Sequence, residues 1–189
     1  MHQLRNIFCI AIIIGTTACT QKRDFGGDRM TNYPDLNLIA KDYLLNYEKN
    51  PYTFLKISIE KGKKDSSYVK ANDINWKEIN ELFSEANLYN EKYEKQYSIT
   101  VISDTLNPLM TLIYTGINPQ NLVQKLSIIA ENFDSKIRSV YWEINDEGFF
   151  NSKQKKVLYV VGKTLQIQQY TKNAFEKEKR KIIQYNFLN

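Results

Sequence analysis

The residue types that carry nucleophilic, redox and metal-binding chemistry are concentrated at the amino terminus of this chain. Its one histidine is His2 and its two cysteines are Cys9 and Cys19, so residues 20–189 contain neither type. Triads and dyads of the hydrolases use a histidine, and zinc sites are built mostly from histidine and cysteine. For the rest of the chain we expect no chemistry of this kind, no thiol redox centre, no metal and no cofactor.

Paired carboxylates are the remaining candidates for catalysis, because glycosidase-type hydrolysis needs only two acids at a suitable separation. Asp104, Glu131, Asp146 and Glu147 lie in or beside predicted turns, where such pairs can form at strand ends. Acidic residues are also common in turns for structural reasons alone. A carboxylate-based hydrolase is therefore kept as the less favoured function, and we do not expect an enzyme.

Residues 1–18 have the organisation of a secretory signal peptide. Arg5 gives the start a positive charge, an almost unbroken apolar run occupies 7–14, and small residues follow at 15–18. The run is about half the length of a membrane-spanning helix. It also lacks the polar residues at helical spacing that a core helix would show. We therefore predict that 1–18 directs export and is then removed.

The end of this segment, Thr-Thr-Ala-Cys at 16–19, resembles the lipobox of bacterial lipoprotein precursors, although Thr16 replaces the usual leucine. The resemblance implies cleavage before Cys19, lipid attachment to Cys19 and anchoring in an envelope membrane. Two or more acyl chains hold a protein stably. Thr20 is not the aspartate of inner-membrane retention, which implies an outer-membrane position facing the periplasm. An ordinary signal peptide with a chance cysteine is the alternative.

Composition and charge bound the remainder of the chain. The net charge of +5 comes mostly from lysines that alternate with acids, and no nucleic-acid recognition motif accompanies it. We therefore expect a solvated surface and no nucleic-acid partner. Residues 19–34 contain two adjacent glycines and few apolar side chains, which predicts a flexible tether. Residues 35–189 are enough for one domain with its own core.

Two helices are predicted in this domain. Apolar residues at spacings of three and four indicate a helix at 35–49. Asn75 with Glu78 resembles a capping box and predicts the start of a second helix. The buried stripe of this helix is expected to contain Ile79, Leu82, Phe83 and Ala86.

Strands account for most of the rest. Alternation predicts a strand at 54–60, followed by a turn at 61–65 and a return at 67–70. Gly162 lies inside the longest later strand and predicts a bulge there or a bend onto a second sheet. The fold class is α+β, with two helices on a curved antiparallel meander of about six to eight strands. The later strands are predicted at 97–103, 109–115, 122–131, 137–145, 156–170 and 179–188.

Two non-catalytic functions are compatible with these features. The first is docking to another envelope protein, with Phe149 and Phe150 as exposed aromatic anchors on a turn. The same two side chains could instead fold back over the end of the sheet. The second function is carriage of an apolar or lipid-like ligand in a half-barrel cavity, which rests on analogy of fold alone. Cavity volume separates them, because a carrier needs an apolar pocket of several hundred Å³.

Overall fold

The computed structural model describes residues 33–103, 106, 108–131, 136–148, 151–173 and 178–188. Within these residues the first α-helix is followed by two strands, and the second α-helix is followed by seven more strands. The helices are α1 (Leu36–Lys49) and α2 (Trp76–Glu85). The strands are β1 (Thr53–Glu60), β2 (Lys63–Lys70), β3 (Tyr97–Ser103), β4 (Leu109–Gly116), β5 (Val123–Glu131), β6 (Ile137–Glu147), β7 (Asn151–Val160), β8 (Thr164–Asn173) and β9 (Lys179–Phe187).

All nine strands form one antiparallel sheet that does not close into a barrel, in the order β2-β1-β9-β8-β7-β6-β5-β4-β3. Strands β3 to β9 are a simple meander, as their short connections predicted. The β1–β2 hairpin joins this meander through β1, which pairs with β9. The predicted α+β class with antiparallel neighbours is therefore confirmed, but the sheet has more strands than the six to eight expected.

The extra strand arises at Gly162, where the prediction of one long strand at 156–170 was wrong. Gly162 has a φ of 67° in the turn between β7 and β8, a backbone region that favours glycine. Val160 and Thr164 are opposite each other across this hairpin. The glycine therefore reverses the chain, and all the described strands belong to one sheet.

The first turn was also predicted too long, at 61–65. Lys61 and Gly62 alone connect β1 to β2, with φ values of 51° and 77°. Positive φ at both positions is the signature of a two-residue hairpin turn whose twist matches that of the strands. As a result β2 already starts at Lys63 and pairs with the whole length of β1.

Each helix begins at a capping side chain. Asp35 accepts a hydrogen bond from the Asn37 backbone N–H at 2.9 Å. Asn75 accepts one from the Glu78 N–H at 3.2 Å, which confirms the predicted N-cap of α2. Such caps replace hydrogen bonds that the first turn of a helix cannot make internally. The predicted stripe of α2, Ile79, Leu82, Phe83 and Ala86, is buried as expected.

The core lies between the two helices and one face of the sheet. Phe83 of α2 packs edge-on against Trp142 of β6, with ring centroids 4.7 Å apart, and also contacts Tyr159 of β7. All three side chains are fully buried. The space between α2 and the middle of the sheet is therefore filled by aromatic rings. We call the opposite face of the sheet, which neither helix covers, the open face.

Replacing Phe83 with alanine should lower the free energy of unfolding by about 3–5 kcal/mol, because it removes a fully buried ring and leaves a cavity. Urea unfolding followed by tryptophan fluorescence measures the change. Leu38→Ala on α1 is the control, since Leu38 is exposed and its loss should cost less than about 1 kcal/mol. Equal effects of the two changes would contradict the assigned core.

Candidate functional site

A groove on the open face combines apolar and cationic side chains. Ile59 of β1 and Ile182 of β9 are cross-strand neighbours there. The β1–β2 turn and the first residues of β9 lie next to this pair, at the same end of the two strands. The groove has a volume of about 770 Å³ and is open to solvent. We call it the β1–β9 groove, and it is lined by Ile59, Lys61, Gly62, Glu178, Lys179, Arg180 and Ile182.

The charge at the rim of this groove is predominantly positive. Lys61, Lys179 and Arg180 are three cations against the single acid Glu178. The guanidinium of Arg180 lies 5.2 Å from the centre of the Tyr170 ring, which belongs to the residue opposite it on β8. A cation–π contact of this kind holds the arginine against the sheet while leaving its charge available. The groove therefore suits a partner that is both acidic and partly apolar.

The apolar floor continues along β1 beyond the groove. Leu55 and Ile57 alternate with the core-facing Phe54 and point to the same face as Ile59. All three aliphatic side chains are only half-buried, whereas Phe54 is fully buried. The predicted alternation of this strand is therefore confirmed, but its aliphatic row is on the open face and its one phenylalanine fills the core. This row extends the apolar surface available to a partner.

The four acids named as catalytic candidates do not converge. Glu131 ends β5 and forms an ion pair with Arg138. Asp146 and Glu147 end β6 at the opposite end of the same antiparallel pair, since Val123 at the start of β5 is opposite Ile144. Eight residues of strand span roughly 26 Å, far more than the roughly 5–10 Å between glycosidase carboxylates. Asp104 lies outside the described residues.

Asp146 and Glu147 do line a smaller depression of about 320 Å³ at the end of β6. As successive residues of a strand, their side chains point to opposite faces of the sheet. The Glu147 carboxylate accepts a hydrogen bond from the Asn145 side-chain amide at 2.8 Å. Asp146 and Glu147 are therefore exposed acids at the end of a strand, and their carboxylates do not face a common site.

Three residues to which the sequence analysis assigned a functional role lie outside the described residues. They are Cys19, the predicted lipid-attachment site, and Phe149 and Phe150, the predicted aromatic anchors. Of the residues next to the two phenylalanines, Gly148 donates its N–H to the Asn151 carbonyl at 2.7 Å. Neither α1 nor α2 is long and apolar enough to cross a membrane.

A cluster of tyrosines lies where β3 and β4 meet the start of the described chain. Tyr33, within the segment predicted as a tether, is buried against Tyr97 and Tyr114, with ring centroids 6.3 and 5.9 Å away. Burial raises the pKa of Tyr114 to about 12, and the neighbouring Tyr33 adds to the effect. Burial also raises the pKa of Tyr97, whose hydroxyl has no hydrogen-bond partner among the described residues. The three rings therefore serve packing.

Sequence reasoning missed the β1–β9 groove, because its lining residues come from two segments, 59–62 and 178–182, that are far apart in the chain. The local signals were present, since residues 61 and 62 read as a turn and 179–188 as a strand. Nothing in either segment specifies that Ile59 is opposite Ile182. Comparison of the chain with protein-family models, with curated proteins and with solved structures finds no match. The groove is therefore interpreted from its own chemistry.

Stability should fall between pH 10 and about 12 more steeply in the native chain than in Tyr114→Phe. A phenol whose pKa is raised on folding contributes stability that is complete below the unfolded pKa and is lost as pH rises through the folded one. A rise of the pKa from 10 to about 12 corresponds to at most about 3 kcal/mol. Urea unfolding across this range measures it. Below about pH 9 the two proteins should show the same dependence of stability on pH, because the contribution of Tyr114 is complete there.

Proposed function

We propose that the chain is a non-catalytic docking protein of a bacterial cell envelope, anchored by lipid on Cys19 and able to bind another envelope protein. The observation that carries the docking function is the β1–β9 groove, which joins an apolar floor to a cationic rim on the open face. The lipobox-like segment at 16–19 supports the anchor. The anchor would place the groove near a membrane, most consistently the outer membrane on its periplasmic side.

The chemistry of the groove indicates what kind of partner it would take. Ile59 and Ile182 offer apolar contact, and the three cations at the rim outnumber the single acid. An extended segment with acidic and aliphatic side chains satisfies both features. Arginine is favoured at such interfaces because its planar guanidinium can bind a carboxylate with two hydrogen bonds. Phe149 and Phe150 are proposed as additional anchors for the same partner.

Carriage of an apolar anion is the second candidate function, and the volume of the groove favours it. About 770 Å³ falls within the range of small-molecule pockets, roughly 300–1,000 Å³. An aliphatic chain would lie on Ile59 and Ile182, and its head group would meet the cationic rim. However, this groove is outside the sheet and open, whereas a half-barrel carrier encloses its ligand. The filled space beneath α2 likewise favours docking over carriage.

Cys19→Ser should abolish lipid attachment, because the thiol is the acceptor in the lipobox chemistry. The variant is expected to lose incorporation of labelled palmitate and to appear uncleaved or in the soluble fraction. Cys9→Ser is the matched control, since Cys9 lies in the apolar run and should be dispensable. Membrane fractionation and gel mobility report the result. Unchanged labelling and fractionation of Cys19→Ser would refute the anchor.

Arg180→Glu should weaken partner binding about tenfold or more, because it replaces a charge-assisted contact with repulsion. A photo-cross-linking amino acid at Ile182 should trap a discrete adduct in cells, and Arg180→Glu should remove it. The same probe at Lys41, exposed on α1 and therefore on the other side of the sheet, is the control and should trap no such species. Identical adduct patterns at Ile182 and Lys41 would contradict docking at this groove.

The carrier alternative is tested on the purified chain with laurate as the probe. Stoichiometric binding of laurate by calorimetry, weakened by Arg180→Glu, would favour carriage. Absence of laurate binding together with an adduct at Ile182 would favour docking.

A further inference from the structure

The two outermost strands of the sheet differ sharply in charge. β2 carries Lys63, Lys64, Asp65 and Lys70 among its eight residues. β3, with the sequence YSITVIS, contains no charged residue and no proline. Natural proteins protect the unpaired edge of a sheet with charges, prolines or bulges. By this criterion β2 is a protected edge, whereas β3 lacks these protective features.

The β3 edge is also apolar and accessible. The side chains of Ile99, Val101 and Ile102 are 41%, 54% and 54% exposed. Ile99 and Val101 point to the same side of the sheet as the helices, and Ile102 points to the open face. By contrast, the first residue of the strand, Tyr97, is buried. The accessible edge therefore starts at Ser98.

The backbone of β3 has a defined set of groups directed away from β4. The Ile117 N–H donates to the Gln96 carbonyl at 2.9 Å, so this opposite pair is hydrogen-bonded. Hydrogen-bonded and non-hydrogen-bonded pairs alternate along an antiparallel ladder. Counting from Gln96, the N–H and C=O groups of Ile99 and Val101 point outward, while those of Thr100 are used by β4.

This edge is complementary to itself. If two β3 strands pair antiparallel with Thr100 opposite Thr100 of the copy, Ile99 is opposite Val101 twice, and Ser98 is opposite Ile102. The outward backbone groups of Ile99 and Val101 then exchange hydrogen bonds in both directions, and no charges meet. A register centred on Val101 would instead place the apolar Ile99 opposite the polar Ser103. A register centred on Ile99 would place Val101 opposite Tyr97, whose side chain is buried within its own chain.

We propose that β3 binds a second copy of this chain, giving a two-fold symmetric dimer with one continuous sheet and Thr100 at the symmetry axis. This pairing follows from the neutrality and the self-complementary register of β3 and is independent of the proposed docking function. The β1–β9 grooves of the two copies are near the far edges of the joined sheet, so both remain accessible in the dimer.

The test uses the full-length chain in mild detergent, with Cys9→Ser and Cys19→Ser so that an introduced cysteine is the only one present. Thr100→Cys should form a disulfide-linked dimer under mild oxidation, because the Cα atoms of a non-hydrogen-bonded pair are about 4.5 Å apart. Ser66→Cys on β2 is the matched control and should remain monomeric on a non-reducing gel. Equal cross-linking at the two positions would overturn the proposal.

A second variant tests the same contact without cross-linking. Thr100→Lys places two ammonium groups directly opposite each other and should weaken dimerisation about tenfold or more. Sedimentation of the uncross-linked chain should show a concentration-dependent dimer that Thr100→Lys removes and Ser66→Lys retains. Circular dichroism melts of the two lysine variants check that both fold. A monomer at all concentrations, or a dimer unaffected by Thr100→Lys, would refute the proposal.

Discussion

The packing of Phe83 on Trp142 and Tyr159 is the contact on which the architecture depends. A helix of ten residues such as α2 is only marginally stable in water by itself, so it must gain its stability from burial. The sheet likewise has to bury apolar surface, since Val140, Trp142 and Val157 form an apolar patch on one of its faces. Each element covers the other. Because α1 and α2 both lie on this face, the opposite face is left exposed to solvent.

The pairing of β1 with β9 determines which side chains lie together on the open face. The β1–β2 hairpin is the part of the sheet that does not belong to the meander, and its attachment to β9 brings Ile59 beside Ile182. The same attachment brings the Lys61–Gly62 turn next to the cationic start of β9. Attachment at the other edge of the meander would have covered β3 and left the outer edge of β9 unpaired, since β9 would then pair with β8 alone. The groove and the uncharged edge therefore both follow from this one choice of neighbour.

Features that depend on neighbouring residues were predictable from the sequence. The bounds of α1 were predicted to within a residue from its apolar spacing, and the start of α2 was predicted correctly because Asn75 is a local capping signal. The positions of β3, β4 and β6 followed similarly from alternation and turns. Gly162 was misjudged because a glycine in a strand pattern can mark either a bulge or a reversal, and only the pairing of β7 with β8 decides between them.

Features that depend on distant residues could not be obtained in this way. Tyr33 was assigned to a flexible tether because its neighbours are polar, yet it is buried against Tyr97 and Tyr114. The groove was missed for the same reason, since its lining combines the end of β1, the β1–β2 turn and the start of β9, which only the tertiary fold brings together. The lipid anchor at Cys19 and the aromatic turn at Phe149 and Phe150 remain predictions from sequence.

The pairing of β1 with β9 also has a consequence for how the chain folds. Phe54 and Phe187 are opposite each other, although they come from near the two ends of the described chain. Contacts between residues so distant in sequence form late, because a long loop must be closed before they contribute any energy. During synthesis β1 gains its final neighbour only after β9, Lys179–Phe187, has been made. Until then it pairs with β2 alone, and a two-stranded hairpin is marginally stable in water. The β1–β2 hairpin therefore becomes a stable part of the sheet only after every other strand has been made, so the strands that come first in the chain are the last to be fixed in place.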